Sequence, residues 1–412
     1  MGKVIMIGCD LHDATMVLKG AVGNGSDFKK TFPTAQRAEM IAWMRELAAQ
    51  EQAERICFVY EASGQGFGLR DDLCAAGIEC HVLAPSHLPH TQNSRKRKTD
   101  DRDAQMLLDE LRAHILAGRK LPAVWIPDRA TRDDREAVRL RLETAAERTR
   151  VKNRIRNLLK RWQVALPRWF TASGDWSKRS LAWLDAVADG TEPSEPARGL
   201  GTGSRVALGS LVAVYRSFMS QIQALDKAIE TLARTPRYVQ AFRKLKLLPG
   251  VGTLSAMVFL TELGDLDRFA NRRKLGTYLG LAPSSYESGE RDDRKGHITR
   301  QGSSQVRHVL CQAAWAALRC SPEWRARYEQ IKRGSKSRSK VAIVAVMRQL
   351  AVTMWQVARS TEWDALLPEE SVSARAQQKG GPPHPPRRHP DRPGRGRGDG
   401  EAEGARGASE GR

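Results

Sequence analysis

Two short apolar runs, each closed by a carboxylate, constrain this chain more than any other feature. Val4-Ile5-Met6-Ile7-Gly8-Cys9-Asp10 and Ile56-Cys57-Phe58-Val59-Tyr60-Glu61 read as buried strands, because they are brief, continuous and rich in β-branched and aromatic residues. Ala14 to Val22 follows the first closely enough to form a hairpin with it. Residues 36–50 have helical periodicity and good helix formers. After the second run, Gly64, Gly66 and Gly68 mark the chain turning into a helix, and Cys80-His81-Val82-Leu83 is a further short strand. Thr99 is positioned to cap a helix over about 100–116. Antiparallel strands first, then alternating strand and helix, is the order of a ribonuclease-H-like α/β domain over residues 1–128. The Gly64-x-Gly66-x-Gly68 spacing lacks the dinucleotide-binding pattern and follows the third strand, so it carries no cofactor argument.

The acids gain meaning from their positions. Asp10 and Glu61 end strands, and active groups in α/β sheets gather at strand carboxyl ends. Asp100 and Asp103 lie three apart, which puts both on one face of a helix in its first turn. The helix dipole favours acids there for stability alone, so that pair has an ordinary explanation as well. Together the four side chains suit two Mg²⁺ or Mn²⁺ ions held roughly 3.5–4 Å apart, with positions left for phosphate and water. Asp13 and Asp101 point elsewhere if the strand and helix periods hold. Just upstream, Arg95-Lys96-Arg97-Lys98 is a basic run suited to phosphate, or a solvated loop.

Charge sharpens the contrast. Lys and Arg number 68 against 47 Asp and Glu, a formal net charge of +21, which points to nucleic acid or an anionic surface. No run approaches the roughly 18 consecutive apolar residues that span a bilayer, and no signal-peptide cleavage pattern follows Met1-Gly2-Lys3, so a cytoplasmic, nucleoid-associated protein with no membrane partner is expected. The six cysteines show neither paired nor zinc spacing and read as reduced, mostly buried thiols.

Beyond about residue 129 the period becomes helical. Val151, Ile155, Leu158, Trp162 and Ala165 form one seam; Leu211, Tyr215, Phe218, Ile222, Leu225, Ile229 and Leu232 form a three-heptad second one. The Gly190–Gly209 stretch between them reads as a loop. An antiparallel coiled-coil linker over 129–239 is expected, closing on itself or pairing with another subunit. Residues 240–368 are mostly helical, with Trp315 and Trp355 in the core. The tail 369–412 is expected to be disordered: residues 371–412 hold six prolines, nine Arg or Lys, five Asp or Glu and one large aliphatic, Val372. That segment carries net +4, leaving +17 on the remainder.

Several of these motifs, in order, resemble the DEDD transposases of bacterial insertion sequences, the IS 110 group, also described as bridge-RNA-guided recombinases. They are Asp10-Leu11-His12, Glu61-Ala62-Ser63-Gly64, and Lys98-Thr99-Asp100-x-x-Asp103-Ala104. Leu248-Pro249-Gly250-Val251-Gly252, Leu279-Gly280-Leu281-Ala282-Pro283, Glu287-Ser288-Gly289-Glu290 and Gly296-His297-Ile298-Thr299-Arg300-Gln301-Gly302 continue the match. The resemblance implies a RuvC-like first domain whose Asp10, Glu61, Asp100 and Asp103 bind Mg²⁺. It also implies a C-terminal domain in which Ser288 is the nucleophile, with Ser284 and Ser285 as neighbours that only the motif rules out. DNA is then the substrate, a guide RNA a possible partner, and a homodimer or homotetramer the working form.

In that setting Arg291, Arg294, Lys295 and Arg300 are candidates to hold phosphate. Gly250 and Gly252 could let backbone N–H groups approach one, or form a plain helix-connecting turn. The basic stretch Lys332 to Lys340 could follow a nucleic-acid backbone. Two other readings stay open: a junction-resolving or ribonuclease-H-like hydrolase in which water attacks, and a non-enzymatic nucleic-acid-binding protein.

Overall fold

The computed structural model describes residues 2–88, 100–167, 169–170, 176–191, 200–286 and 294–367. Residues 2–361 belong to one contact unit, and a second unit starts at Glu362 with a 3-10 turn, Glu362–Leu366. The expected disordered tail lies outside the described residues.

Five strands, β1 (Val4–Leu11), β2 (Thr15–Val22), β3 (Phe28–Pro33), β4 (Arg55–Glu61) and β5 (Glu79–Leu83), form one sheet in the order β3-β2-β1-β4-β5. β1, β2 and β3 pair antiparallel, whereas β1–β4 and β4–β5 are parallel. This is the ribonuclease-H-like order expected from the sequence. Because successive strand residues face opposite sides, β1 and β4 split their side chains between two cores. Ile5, Ile7, Cys9, Ile56, Phe58 and Tyr60 join the core that takes Met40 and Met44 of helix α1 (Arg37–Gln50) and Leu69 and Leu73 of α2 (Gly68–Ala75). Met6, Cys57 and Val59 face Leu107, Leu108 and Leu111 of α3 (Asp100–Ala117).

The linker is an antiparallel helical hairpin within one chain. α4 (Arg129–Arg161) and α6 (Thr202–Ala233) run side by side, with Arg141 bonded to Asp226 at 2.7 Å and Arg148 against Met219 at 3.5 Å. Leu208, Val212, Tyr215, Ile222 and Ile229 form the buried seam, with Leu211 and Phe218 packed beside it. Three expectations are corrected. Trp162 and Ala165 leave the seam because α4 ends at Arg161, and Val164 is buried instead. The Gly190–Gly209 stretch is not loop throughout, since α6 already begins at Thr202; residues 192–199 lie outside the described residues. An additional helix, α5 (Lys178–Asp189), packs on α6 through Trp183 and Leu184.

The remaining helices are α7 (Val239–Lys246), α8 (Thr253–Leu263), α9 (Arg272–Tyr278), α10 (Ser304–Cys320), α11 (Pro322–Lys332) and α12 (Ser339–Arg359). Largely apolar, and buried from Ala256 to Leu263, α8 is the centre on which α4, α6, α7 and α10 pack. Such burial contributes about 1.5–3 kcal/mol per large apolar side chain. Lys336–Arg359 is long and apolar enough to cross a membrane by composition, yet Ala342, Val346, Leu350 and Met354 are buried against α7, α10 and α11. It is a core helix here.

A hairpin, β6 (Pro283–Tyr286) with β7 (Arg294–Ile298), interrupts the helices. Trp355 is buried as expected and donates to Leu266 O at 2.8 Å, but Trp315 is 41% exposed. The thiols are less buried than expected: Cys9 and Cys57 are buried, Cys80 and Cys311 half-buried, Cys74 and Cys320 exposed, and all are free.

Candidate metal centre

One face of the sheet and one helix start bring Asp10 and Asp100 together, with Asp103 near enough to act on Asp10 as a charge and Glu61 placed by strand register alone. Gly8 lies directly under α3: a Cβ there would meet Leu108 N at 2.4 Å and Ala104 O at 2.5 Å. Only a glycine lets the helix backbone come so close. Two residues on, by strand alternation, Asp10 faces the same side. The parallel pairing of Cys9 with Tyr60 sets Glu61, the last residue of β4, beside Asp10 on the neighbouring strand. Cys57 and Val59 share the α3 core, so alternation gives Glu61 that face too. Asp100 and Asp103 enter from the first turn of α3.

The contacts are close. His12 Nε2 lies 2.9 Å from Asp10 Oδ2 and 3.3 Å from Asp100 Oδ1, and ligand-capable atoms of all three residues fall within 4.8 Å of one another. Burial pushes the Asp10 carboxyl up; His12 acts the other way, and the negative charges of Asp103 and Asp100 raise it further. Like charges held together around a half-buried carboxylate are what a divalent cation relieves. The donor set of carboxylate oxygens plus an imidazole nitrogen fits such an ion.

The neighbouring acids are engaged elsewhere. Asp101 pairs with Lys19 at 3.2 Å and Lys29 at 2.8 Å, and Asp13 accepts from Gln65 Nε2 at 3.0 Å. Sequence reasoning named the Asp10-Leu11-His12 motif without giving His12 a position in the site, although the two-residue strand period already put it on the Asp10 face. Gly8 was also missed. Its only signal was a glycine inside an otherwise apolar strand, which marks a close backbone approach.

Other expected positions are distributed differently. Arg95, Lys96, Arg97, Lys98, Ser288 and Arg291 lie outside the described residues. Arg294 and Lys295 are on β7, in register with Tyr286 and Ser285. Ser284 Oγ donates to His297 O at 2.9 Å, so its hydroxyl proton is already committed. Arg300 has a left-handed backbone, φ 56°, in the turn that packs on Gly280. Gly250 has φ 80°, and a Cβ there would strike Ala313 O and Ala317 N of α10 at 2.4 Å, so it has a packing reason to be glycine. The N–H of Gly252 donates to Ser255 Oγ at 2.9 Å.

A family model described as "Transposase" of the DEDD, IS110 type matches residues 7–163, and one described as "Transposase IS116/IS110/IS902 family" matches 243–329. A candidate transposase of Sinorhizobium fredii, y4qE, is 31% identical over 338 residues, 74% of this chain and 76% of its own length. The chain belongs to the IS110 family of transposases. Another candidate transposase of the same organism, y4rJ, is 28% identical over 72% of this chain and 76% of its own length. The transposase for insertion sequence element IS1533 of Leptospira borgpetersenii is 24% identical over 76% of this chain and 86% of its own length. The DEDD-type match takes in the sheet except the first three residues of β1, together with α3 and α4, and includes all four acids and His12. The second match covers α8 and the β6–β7 hairpin.

Proposed function

We propose that this chain cuts and rejoins DNA to move its own insertion sequence, using a divalent metal held by Asp10, Glu61, Asp100 and Asp103 and the hydroxyl of Ser288 as nucleophile. Family membership supports the transposition reading. The observation that carries the metal reading is the meeting of Asp10, His12 and Asp100 within 4.8 Å, at the strand carboxyl ends of a chain with net charge +21. The helix dipole accounts for acids in the first turn of α3, but not for their meeting a strand-end carboxylate, and a cation relieves that crowding.

Asp10 and Glu61 offer oxygens from a rigid sheet edge, and Asp100 and Asp103 from a helix seated on Gly8. Mg²⁺ or Mn²⁺ bound there would neutralise charge on a scissile phosphate and its leaving oxygen. Ser288 attacks phosphorus, its oxygen forming the new bond as a sugar oxygen leaves, which gives a phosphoserine link that a DNA hydroxyl later displaces. Arg294 and Lys295 on β7, with Arg291 before it and Arg300 after it in sequence, supply positive charge for the phosphate, as Arg95 to Lys98 do just before the Asp100 and Asp103 pair in sequence. The three-part division into 1–128, 129–239 and 240–368 gives metal domain, coiled-coil linker and serine domain. A guide RNA, a dimer or tetramer, and a nucleoid location complete this reading on family resemblance.

The deciding experiment is a denaturing gel after incubating the protein with DNA carrying the element's ends. A protein–DNA adduct that requires Ser288, with cutting lost in Asp10→Ala and Asp103→Ala while DNA binding persists, is the expected result. Metal-dependent cutting by Ser288→Ala would instead assign attack to water and sink the serine reading.

A further inference from the structure

We propose that His12 is itself a metal ligand, so that the site is a mixed nitrogen–oxygen one that prefers a first-row transition ion over Mg²⁺. This rests on the metal reading above and adds to it a residue that the four-acid pattern leaves out. Nε2 of His12 faces two carboxylates at once, 2.9 Å from Asp10 and 3.3 Å from Asp100. An ion shared by those carboxylates therefore has that ring nitrogen as a neighbour. A neutral ring carrying its proton on Nδ1 presents a lone pair from Nε2.

The residue is held for this task. Its backbone N–H donates to Thr15 O at 2.9 Å and its carbonyl accepts from Thr34 Oγ1 at 2.8 Å, fixing the β1–β2 turn from both sides. Asp10 near the end of β1 and His12 just past it are two residues apart, so one backbone segment delivers an oxygen and a nitrogen to the same point. Two other histidines of the sheet domain are engaged elsewhere: His81 bonds Glu79 at 3.0 Å, and His114 bonds Arg119 O at 2.7 Å.

The chemistry sets the preference. Mg²⁺ demands oxygen ligands and keeps several waters, whereas imidazole favours transition ions. An added nitrogen should strengthen Mn²⁺ or Co²⁺ binding while leaving Mg²⁺ affinity nearly unchanged.

The test uses the full, untagged chain without DNA, loaded with Mn²⁺ and measured by pulsed electron paramagnetic resonance. Wild type should show ¹⁴N modulation from a directly bound imidazole. His12→Ala and His12→Gln should lose that modulation, bind Mn²⁺ about tenfold or more weakly, and change little in Mg²⁺ affinity. Circular dichroism checks that both variants fold. Absence of ¹⁴N modulation in wild type, or its persistence in both variants, overturns the assignment of His12 while leaving a carboxylate-only site standing. Mn²⁺ binding that survives Asp10→Asn and Asp103→Asn unchanged overturns the metal site itself, and His12 with it.

Discussion

Two clusters of charge in this molecule obey opposite rules. Around α8 every charge is matched: Glu262 is buried, Arg139 holds both its oxygens at 2.6 and 3.1 Å, and Arg135 caps the helix by donating to Thr261 O and Glu262 O at 2.6 and 2.8 Å. At the sheet edge, Asp10, Asp100 and Asp103 act on one another as like charges, with one imidazole between two of them. The first cluster is consumed in joining α4 to α8. The second sets carboxylates around one imidazole, an arrangement that a divalent cation would relieve. Matching marks structure, and crowding marks chemistry.

The contrast is broken most directly at Asp10. Asp10→Asn should lower strand cutting on the order of 1000-fold, about 4 kcal/mol in barrier. The melting temperature of the metal-free protein should not fall, because Asp100 and Asp103 lose a repelling neighbour. A large loss of stability would place Asp10 with the structural cluster instead. At Glu262 the opposite is expected: Glu262→Ala leaves Arg139 half-buried without its partner and should destabilise by about 3 kcal/mol in denaturant unfolding.

Smaller effects sharpen the same comparison. Gly8→Ala forces α3 off the sheet and should cost about 2 kcal/mol, with weaker Mn²⁺ binding in a titration because Asp100 and Asp103 move with the helix. Asp128→Ala removes the N-cap of α4, which accepts from Thr131 N at 2.9 Å, and should cost about 1 kcal/mol. Burial raises the Asp128 carboxyl, but hydrogen bonds from Thr131 and Arg237 outweigh it and hold it at about 2, below its ordinary 3.8. A depressed acid stabilises the fold above its ordinary value, so this contribution is present at neutral pH and is lost as pH falls from 3.8 toward 2. Unfolding curves of wild type and Asp128→Ala should therefore converge at the acid end.

Legibility in the sequence followed the physics of burial. β1 and β4 could be read because both faces are covered and their side chains form continuous apolar runs up to the closing acids. β3 could not: Lys29, Lys30 and Thr31 are exposed on an edge strand, and Phe28 and Phe32 are too few to set a period. The β6–β7 hairpin was hidden for the same reason, since Arg294-Lys295-Gly296 carries no apolar alternation. The acids were legible because strand ends and first helical turns are fixed by local signals. That α3 lands on β1 was not, for that depends on Gly8, whose role is visible only when the helix is above it. Trp162 and Trp315 were misread as buried because ring size suggests burial while helix ends and facing decide it.

One feature reaches furthest. α4 is a single helix of 33 residues, about 50 Å of unbroken rod, pinned near its base by Arg135 and Arg139 to the α8 core and running out to the tip of the hairpin. Rotating that base by about 5° sweeps the far end through about 4 Å, from the rod's length alone. A small rearrangement at the root is thereby converted into a displacement the size of a side chain at the tip, which makes α4 a lever arm.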